Sequence, residues 1–245
     1  MSTEFASLEE ARLRSSIPEV AAEFIEVVGS IAGFAGIMDW ATTGNLDCLD
    51  RSPSEHDVEI IERFFFDRGS DAKLSVPHPA SEQTVKLLAG RGWHWAASEN
   101  VLGVELQSLP KVTDDSLIRP DTPAESVEIT MSVFTDEKED SNVRLANAAS
   151  TIIFVAEVDG ELAGQGLMSR RGELAGLFSG IVREPFRGRG VQRSLMLHRL
   201  HHARSIGCTM ASVACEATSP SASNAAALGV NLRYVRNAMK KRRPA

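Results

Sequence analysis

Cysteine, tyrosine and long apolar runs are all scarce in this sequence. Its 245 residues include three cysteines and one tyrosine. Cys48, Cys208 and Cys215 show neither paired spacing nor the Cys-x-x-Cys pattern of zinc and redox sites, so we expect buried thiols in a reducing compartment. No stretch approaches the ~18–20 apolar residues that cross a membrane, and the first residues lack the form of a secretory signal. These absences predict a cytoplasmic protein with no membrane partner.

Basic charge is also in deficit, with 26 Lys and Arg against 33 Asp and Glu and a net charge of −7. This balance argues against a nucleic-acid partner, and we interpret the basic cluster Lys240–Arg243 as a solvated tail. His198 and His202 are four residues apart, but the Glu of a His-Glu-x-x-His site is missing. We therefore predict a solvated helix face there and no metal site. No pattern indicates an oligomeric state.

Helical and strand patterns alternate along the first hundred residues. Helical spacing predicts a helix over Pro18–Glu26, and the glycine-punctuated apolar segment Val27–Trp40 predicts strands joined by a turn. A helix is expected from about Glu55, because Ser52-Pro53-Ser54 offers an N-cap and an early proline. The elements expected next are a strand at Lys73–Val76, a helix from Ser81 and a strand at Trp93–Leu106.

The segment Ser108–Ser126 contains three prolines and several acidic residues, which is the composition of a linker. Beyond it, alternation at Val127–Val133 predicts a strand, and polar residues 136–147 predict a short helix or loop. Asp159-Gly160 is a strong hairpin signal between two strand patterns. The elements expected around and after it are strands at Thr151–Val158, Glu161–Met168 and Leu174–Val182, a helix from Val191, a strand at Cys208–Glu216, a short helix ending at Gly229 and a last strand.

A turn rich in glycine and arginine separates the strand Leu174–Val182 from the helix that starts at Val191. The turn and the helix start read Arg187-Gly188-Arg189-Gly190-Val191-Gln192. Backbone N–H groups at a helix start bind anions, so the turn predicts an anion site, with a merely solvated loop as the alternative. The third glycine of the Gly-x-Gly-x-x-Gly fingerprint and the Gly-Lys-Ser/Thr of the Walker loop are both absent. The turn therefore does not fit either of these nucleotide-binding motifs.

The turn resembles the pyrophosphate-binding motif Arg/Gln-x-x-Gly-x-Gly/Ala of the GNAT superfamily of acyl-CoA-dependent N-acyltransferases. Val182, Arg187 and Gly190 occupy motif positions, whereas Gln192 stands where Gly or Ala is usual and Glu184-Pro185 inverts the usual Pro-Glu. The resemblance implies acetyl-CoA as the co-substrate. The cofactor-binding residues that it implies are Ile181, Val182, Arg183, Arg187, Gly188, Arg189, Gly190, Val191, Gln192 and Asn224.

Asn224 enters that set through a second match downstream. The family has the sequence pattern Pro-Gly-Ser-x-Ser-x-x-Asn-Ala-x-x-x-Gly-Phe in this region. The residues that match it here are Ser219, Ser221, Asn224, Ala225 and Gly229. The resemblance implies that Asn224 hydrogen-bonds the pantetheine arm. A Ser or Asn before a helix is otherwise read as a cap.

An internal repeat is visible when the chain is shifted by 137 positions. The shift aligns Ser75-Val76 with Ser212-Val213, Gly92 with Gly229 and Asn100 with Asn237. Opposite the glycine turn it places residues 50–55, which contain no glycine and have a carboxylate at each end. We therefore predict an α/β protein of two GNAT-like mixed-sheet domains in tandem, the first degenerate. The expected boundaries are 1–107 for the degenerate domain, 108–126 for the linker and 127–245 for the acetyl-CoA-binding domain.

Acyl transfer to an amine requires a base for the amine and an acid for the departing thiolate. We predict Glu216, at a strand end, as the base and Tyr234 as the acid; their alternative roles are a surface carboxylate and a core ring. Glu173, at the start of the strand Leu174–Val182, is the other candidate base, but a surface role is favoured for it. The predicted function is an N-acetyltransferase that acts on an amine of a small molecule or peptide, whose identity is open. The alternative is a non-catalytic module that binds acyl-CoA or a partner and retains the turn.

Overall fold

The computed structural model describes residues 23–34, 43–45, 51–110, 118–121, 123–133 and 151–244. These residues form a mixed α/β structure of eleven strands and five α-helices. The chain divides into two compact units. The first unit comprises residues 1–100 with 234–245, and the second comprises residues 101–233.

The strands are β1 (Glu23–Val27), β2 (Ser30–Phe34), β3 (Thr43–Asn45), β4 (Ala72–His78), β5 (His94–Glu105), β6 (Ile118–Pro120), β7 (Thr151–Val158), β8 (Glu161–Arg171), β9 (Leu174–Val182), β10 (Met210–Cys215) and β11 (Asn231–Lys241). The helices are α1 (Glu55–Phe66), α2 (Glu82–Gly90), α3 (Pro123–Met131), α4 (Val191–Ser205) and α5 (Pro220–Ala227). Strands β5 and β11 each contribute residues to both units.

The first unit contains a mixed sheet. Its strand order is β1-β2-β3-β4, followed by residues 234–241 of β11 and 94–100 of β5. Strand β4 is parallel to β3 and antiparallel to β11. Val58, Ile61 and Phe65 of α1 are buried with the apolar side chains of β4, because helical spacing places them on one face.

Glu62 of α1 is buried in this unit and accepts hydrogen bonds from three side chains. The donors are Arg91 Nη2 at 2.7 Å, Trp93 Nε1 at 2.8 Å and Lys241 Nζ at 2.9 Å. Burial raises the pKa of this carboxyl, but the bonds from Arg91, Lys241 and Trp93 outweigh it, so the pKa of Glu62 lies below its ordinary value. The predicted solvated tail is therefore wrong for Lys241, which ends β11 and pairs with Glu62.

The second unit also contains a mixed sheet, with the order β6-β7-β8-β9-β10 followed by residues 101–105 of β5. Strand β9 is parallel to β10 and antiparallel to β8. The predicted β7–β8 hairpin is confirmed, and its Asp159-Gly160 turn has φ of 57° and 83°, the positive values that a two-residue hairpin turn needs. Helix α4 buries Leu195, Met196 and Leu200 in the core of this unit.

The predicted helix Pro18–Glu26 is wrong over its last residues, because Glu23–Val27 is strand β1. This strand pairs antiparallel with β2 across a turn at Val28-Gly29, both of which have positive φ. The β-branched residues Ile25 and Val27 favour the strand. The earlier part of the predicted helix lies outside the described residues.

The predicted strand Val127–Val133 is also wrong, because α3 extends to Met131. The buried residues of α3 are Ser126, Ile129 and Thr130, which follow helical spacing. Two of these three are polar and bond to Gln165 of β8, so the apolar residues alone gave a false alternation. Strand β6 and the start of α3 fall within the segment predicted as a linker, and predicted element 136–147 lies outside the described residues.

Candidate functional site

A bulge in β9 is the first feature of the site. Gln165 of β8 is opposite Ile181, and Leu167 is opposite Phe178, so Ser179 and Gly180 together face only Gly166. Ser179 adopts a φ of 45°, which is rare for a residue with a side chain. An extra residue of this kind bends its strand and increases its twist, so β9 changes direction here.

A cleft of about 310 Å³ lies between β9 and β10 at the level of the bulge. The parallel pairing of these strands runs from Leu174 opposite Met210 to Leu177 opposite Val213. Beyond that point, Phe178–Ile181 line one side of the cleft and Val213–Glu216 line the other. The remaining lining residues come from α4 and the start of α5: Gln192, Met196, Arg199, Ser219 and Ser221.

The glycine turn leads directly into α4. Gly188 and Gly190 have φ of 74° and 83°, and a Cβ built on either would meet no atom within 4 Å. The glycines are therefore needed for the backbone conformation, and the space beside them is open. Gly190 is the N-cap and has no side-chain acceptor; the first backbone bond of the helix runs from Ser194 N–H to Gly190 O. The backbone N–H groups of Val191, Gln192 and Arg193, which come before Ser194, thus have no partner within the helix.

Three arginines surround this helix start, and the first turn of α4 contains no acidic residue. Arg187 donates through Nε to Val182 O at 3.3 Å, and Arg189 pairs with Asp159 at 3.0 Å. Asp159 is 79% exposed, so this pair is screened by water and contributes little. Arg193 is exposed. The turn therefore combines basic side chains, the positive end of a helix dipole and accessible backbone donors.

The structure brings together two of the residues that sequence analysis singled out, Gln192 and Asn224. Asn224 Nδ2 donates to Gln192 Oε1 at 2.9 Å, and both side chains are half-buried. Gln192 lies in the first turn of α4 and also lines the cleft. Asn224 lies inside α5, whose N-cap is Ser219. These contacts link the glycine turn to the cleft.

The residues of the strand end Ile181–Arg183 differ in their contacts. Ile181 is buried and lines the cleft. The N–H of Arg183 already donates to Ala163 O at 2.9 Å, and its Nη1 donates to Leu162 O at 2.9 Å. Arg183 is thus tied to β8 through both its backbone and its side chain.

The two predicted proton-transfer residues lie in different parts of the chain. Glu216 is exposed at the end of β10 and lines the cleft. Tyr234 is half-buried and lies in the part of β11 that belongs to the first unit.

Sequence analysis missed Arg199, a cleft residue on the buried face of α4. Only 2% of its surface is exposed, and burial lowers the pKa of its guanidinium to about 10. The sequence does contain a signal. Leu195, Met196, Leu200 and Ala203 repeat at helical spacing, and an arginine at position 199 interrupts their apolar face.

His198 and His202 of α4 are half-buried, so the predicted solvated face is wrong for these two residues. The rings of His198 and His202 each lie edge-on to Phe154 with centroids 5.0 Å away, and burial lowers the pKa of His202. Within the described residues, no group of three His, Cys, Asp or Glu side chains is arranged to hold a metal ion. No helix in the described part of the chain is long and apolar enough to cross a membrane.

Comparisons with known proteins give one family match and several similar folds. Residues 117–229 match the model of the Acetyltransferase (GNAT) family. A comparison of the sequence with curated proteins found no match. Among solved structures, the chain is similar to a GCN5-related N-acetyltransferase from Kribbella flavida, with a TM-score of 0.72, 10% identity and coverage of 96% of this chain and 95% of the other.

Two further solved structures have similar folds. One is a GCN5-related N-acetyltransferase from Sphaerobacter thermophilus, with a TM-score of 0.63, 13% identity and coverage of 99% and 93%. The other is a tandem GNAT protein from the clavulanic acid biosynthesis pathway, with a TM-score of 0.60, 15% identity and coverage of 97% and 88%. Together these likenesses show that the chain has a GNAT-like fold, and residues 117–229 are the part that matches the family model.

Proposed function

We propose that the chain is an N-acetyltransferase that moves an acetyl group from acetyl-CoA to an amine, with the cofactor site in the second unit. The observation that carries this proposal is the continuity of the glycine turn with the cleft through Gln192. A ligand that fits both places has an anionic group at one end and a narrow chain at the other. Coenzyme A, with a diphosphate followed by a pantetheine arm, has this form.

The residues of the turn fit the diphosphate end. Gly188 and Gly190 leave the space beside the backbone open, and the first-turn N–H groups of α4 are donors without intrahelical partners. Arg187, Arg189 and Arg193 add positive charge. Charge-assisted hydrogen bonds of this kind contribute about 1.5–3 kcal/mol each, so a few of them suffice for firm binding.

The residues of the cleft would hold the remaining part of the cofactor. Gln192 and Ile181 line the cleft, and the Asn224 amide is bonded to Gln192. Arg183 is a weaker candidate than sequence analysis expected, because its N–H is already bonded to Ala163. We therefore assign the backbone contact to Ile181 and Val182 and a supporting role to Arg183.

Acetyl-CoA supplies an acyl group on a thioester, which a neutral amine can attack. Glu216 is placed at the cleft and would accept the proton of the attacking amine. Tyr234 is not among the residues that line the cleft, and its role as the acid stays a prediction from the sequence. Each positioned proton transfer is expected to contribute roughly 10²–10⁴-fold to the rate.

The first unit is proposed to be a degenerate copy of the same fold. Shifting α1, β4, α2 and β5 by 137 positions places them on α4, β10, α5 and β11 within two residues at every end. Backbone contacts repeat as well: Trp93 N–H bonds Leu88 O in one copy, and Val230 N–H bonds Ala225 O in the other. The predicted domain boundaries 1–107, 108–126 and 127–245 remain part of this proposal.

The helix start of the first copy is occupied by its own side chains. Ser54 caps α1, and the carboxylate of Asp57 accepts from the N–H and Oγ of Ser54. Arg51 is bound to the same carboxylate at 2.7 and 2.9 Å. A diphosphate would meet a negative charge here instead of free donors, so we expect only one cofactor site in the chain.

A rival function is a non-catalytic acyl-CoA-binding module. One observation favours it: the Glu216 carboxylate forms no hydrogen bond with any described residue, whereas a catalytic base is usually oriented by a neighbour. Release of free thiol from acetyl-CoA in the presence of a panel of small-molecule and peptide amines separates the two. Amine-dependent release supports the transferase, and tight CoA binding without release for any amine supports the binding module.

A cytoplasmic location stays a prediction.

A further inference from the structure

Arg199 is a buried cation without a counter-ion in the described part of the second unit. Its Nε donates to Leu195 O at 3.1 Å, and its Nη1 donates to Leu167 O at 2.8 Å and to Phe178 O at 3.1 Å. All three acceptors are neutral carbonyl groups. No described carboxylate forms an ion pair with the guanidinium, so its charge is not compensated.

This guanidinium is charged at neutral pH. Burial lowers its pKa to about 10, which still leaves it protonated at pH 7. An isolated buried charge destabilises a protein unless another group compensates it. Carbonyl dipoles provide part of that compensation, and an anionic ligand would provide the rest.

Arg199 lines the cleft, and its Nη2 lies beside Gly180 of the β9 bulge. A Cβ on Gly166 would lie 2.6 Å from Cζ of Arg199, so a glycine there makes room for the guanidinium. A Cβ on Gly180 would lie 3.5 Å from Nη2 of Arg199 and 3.9 Å from Nε2 of Gln192. Two N–H donor groups therefore converge beside Gly180, in a cleft that both residues line. Nη2 forms no hydrogen bond with any other described residue.

The position of Arg199 along α4 identifies which part of a ligand it would meet. Arg199 follows Gly190 by nine residues, a distance of about 13 Å along the helix axis. A long ligand anchored by its anionic end at the glycine turn would bring its far end to Arg199. If the ligand is an acyl-CoA, that far end is the acyl group.

We propose that Arg199 selects an acyl group that itself carries a carboxylate, so that the preferred donor is the CoA thioester of a short dicarboxylic acid such as malonic acid. This inference rests on the proposed CoA site and acyl transfer to an amine, and it replaces the acetyl group with a carboxylate-bearing acyl group as the preferred one to be transferred. The free carboxylate of the acyl group would accept from Nη2 of Arg199 and from the Gln192 amide, since a planar guanidinium matches a carboxylate in geometry and charge. An acetyl group lacks that acceptor and would bind without this contact.

The test compares two acyl-CoA ligands of the same length in the absence of any acceptor. Malonyl-CoA ends in a carboxylate, and acetoacetyl-CoA has a neutral methyl ketone in the same place. Isothermal titration calorimetry on the full chain measures both affinities and that of CoA alone. We expect malonyl-CoA to bind about 10-fold to 100-fold more tightly than acetoacetyl-CoA, the usual effect of one charge-assisted contact.

Variants at two arginines of α4 locate the effect. Arg199→Met should abolish the preference for malonyl-CoA and leave the affinity for CoA within a few-fold of the wild type. Arg204→Met is the matched control, because Arg204 is exposed on the same helix, and it should retain the full preference. If Arg199→Met does not fold, Arg199→Lys preserves the charge without the planar fork and should keep only part of the preference.

The outcomes separate this inference from the proposed function. Equal affinities for the two thioesters in a wild-type chain that binds CoA would overturn the role of Arg199 and leave the transferase proposal standing. A preference that survives in folded Arg199→Met would overturn it as well. Another outcome is that free malonate binds the CoA complex more tightly than it binds the chain without CoA, with no preference for malonyl-CoA over acetoacetyl-CoA. That result would mean that Arg199 binds a carboxylate of the acceptor, and it would refute the donor assignment. Failure of CoA and both thioesters to bind would overturn the proposed function itself.

Discussion

At the scale of single residues, Gly190 makes the sharpest prediction. Its φ of 83° suits glycine, and Asn and Asp are the next residues that tolerate this conformation. Gly190→Asp places a carboxylate at the proposed diphosphate site, and Gly190→Asn places a neutral group of the same shape there. Both should cost similar stability. We expect Asp to weaken CoA binding by several kcal/mol through repulsion and lost hydrogen bonds, and Asn by much less.

The check on this prediction is a pair of affinity measurements with thermal unfolding of both variants. Folded Gly190→Asp that binds CoA as well as Gly190→Asn does would move the cofactor away from the turn.

Glu216 gives a second prediction at this scale. Glu216→Gln preserves the shape of the side chain but cannot accept a proton at neutral pH. If Glu216 is the base, kcat/KM for the acceptor should fall by roughly 10²–10⁴-fold while CoA affinity stays near that of the wild type. Glu173→Gln is the matched control, since Glu173 is an exposed carboxylate at the start of β9 bonded to Thr209. Normal turnover in Glu216→Gln would leave the base unassigned.

Tyr234 gives a third prediction at this scale. Tyr234→Phe retains the ring and removes only the hydroxyl, so stability and CoA affinity should stay near those of the wild type. If the hydroxyl protonates the departing thiolate, turnover should fall by roughly 10²–10⁴-fold. If the ring is only a packing element, Phe should be silent, and Tyr234→Ala should instead reduce the free energy of unfolding by ~3–5 kcal/mol. Steady-state kinetics and chemical unfolding of both variants distinguish these cases.

A site can be predicted from the sequence when its residues are close together in the chain. The strand-to-helix turn was predictable, because two glycines stand between the strand pattern that ends at Val182 and the helical pattern that begins at Val191. The contact of Asn224 with Gln192 was not, since it joins residues 32 apart in the chain. Arg199 was missed because its role depends on Gly166 and Gly180, which leave room for it only when the strands are assembled.

At the scale of secondary structure, the start of α1 predicts a pH effect on stability. The hydrogen bond from Arg51, followed by those from Ser54, holds the pKa of Asp57 well below its usual range, despite burial. Because the folded-state pKa is the lower one, the ionised carboxylate stabilises the fold above about pH 4. That contribution is lost as the pH falls through and below this value.

Asp57→Asn should therefore destabilise the chain at pH 7 by about 0.5–2 kcal/mol, the usual contribution of a helix cap. The difference from the wild type should shrink at pH 3. Tryptophan fluorescence during urea unfolding is a suitable measurement, since Trp40, Trp93 and Trp95 all belong to the first unit. Glu59→Gln, which removes an exposed pair with Arg63, should change stability by about 0.5 kcal/mol or less. A pH-independent effect of Asp57→Asn would refute this account of the cap.

Prediction of whole elements succeeded where apolar periodicity and turn residues agreed. Helix α1 was predictable because its capping residue and the helical spacing of its apolar residues are both visible in the sequence. The β7–β8 hairpin was predictable because its Asp-Gly turn is a strong hairpin signal. Helix α3 was mistaken for a strand because Ser126 and Thr130 occupy its buried face and are satisfied by Gln165 from a distant strand. Polar residues buried through tertiary hydrogen bonds are invisible to a pattern of hydrophobicity.

At the scale of the whole molecule, we propose that the two halves share one fold but differ in their chemistry. The repeat of element bounds over 137 positions supports a common fold for both. The glycine turn of the second half and the capped helix start of the first half predict opposite affinities for an anion. Fold likeness alone would allow two cofactor sites, whereas the local chemistry predicts one.

Isothermal titration of the full chain with CoA tests this central claim most directly. We expect one site per chain, lost in Gly190→Asp and unchanged in Ser52→Asp, which adds a carboxylate at an exposed position of the first half that the repeat aligns with Arg189. Two sites per chain, no site, or a site that survives Gly190→Asp and is lost in Ser52→Asp would contradict the account.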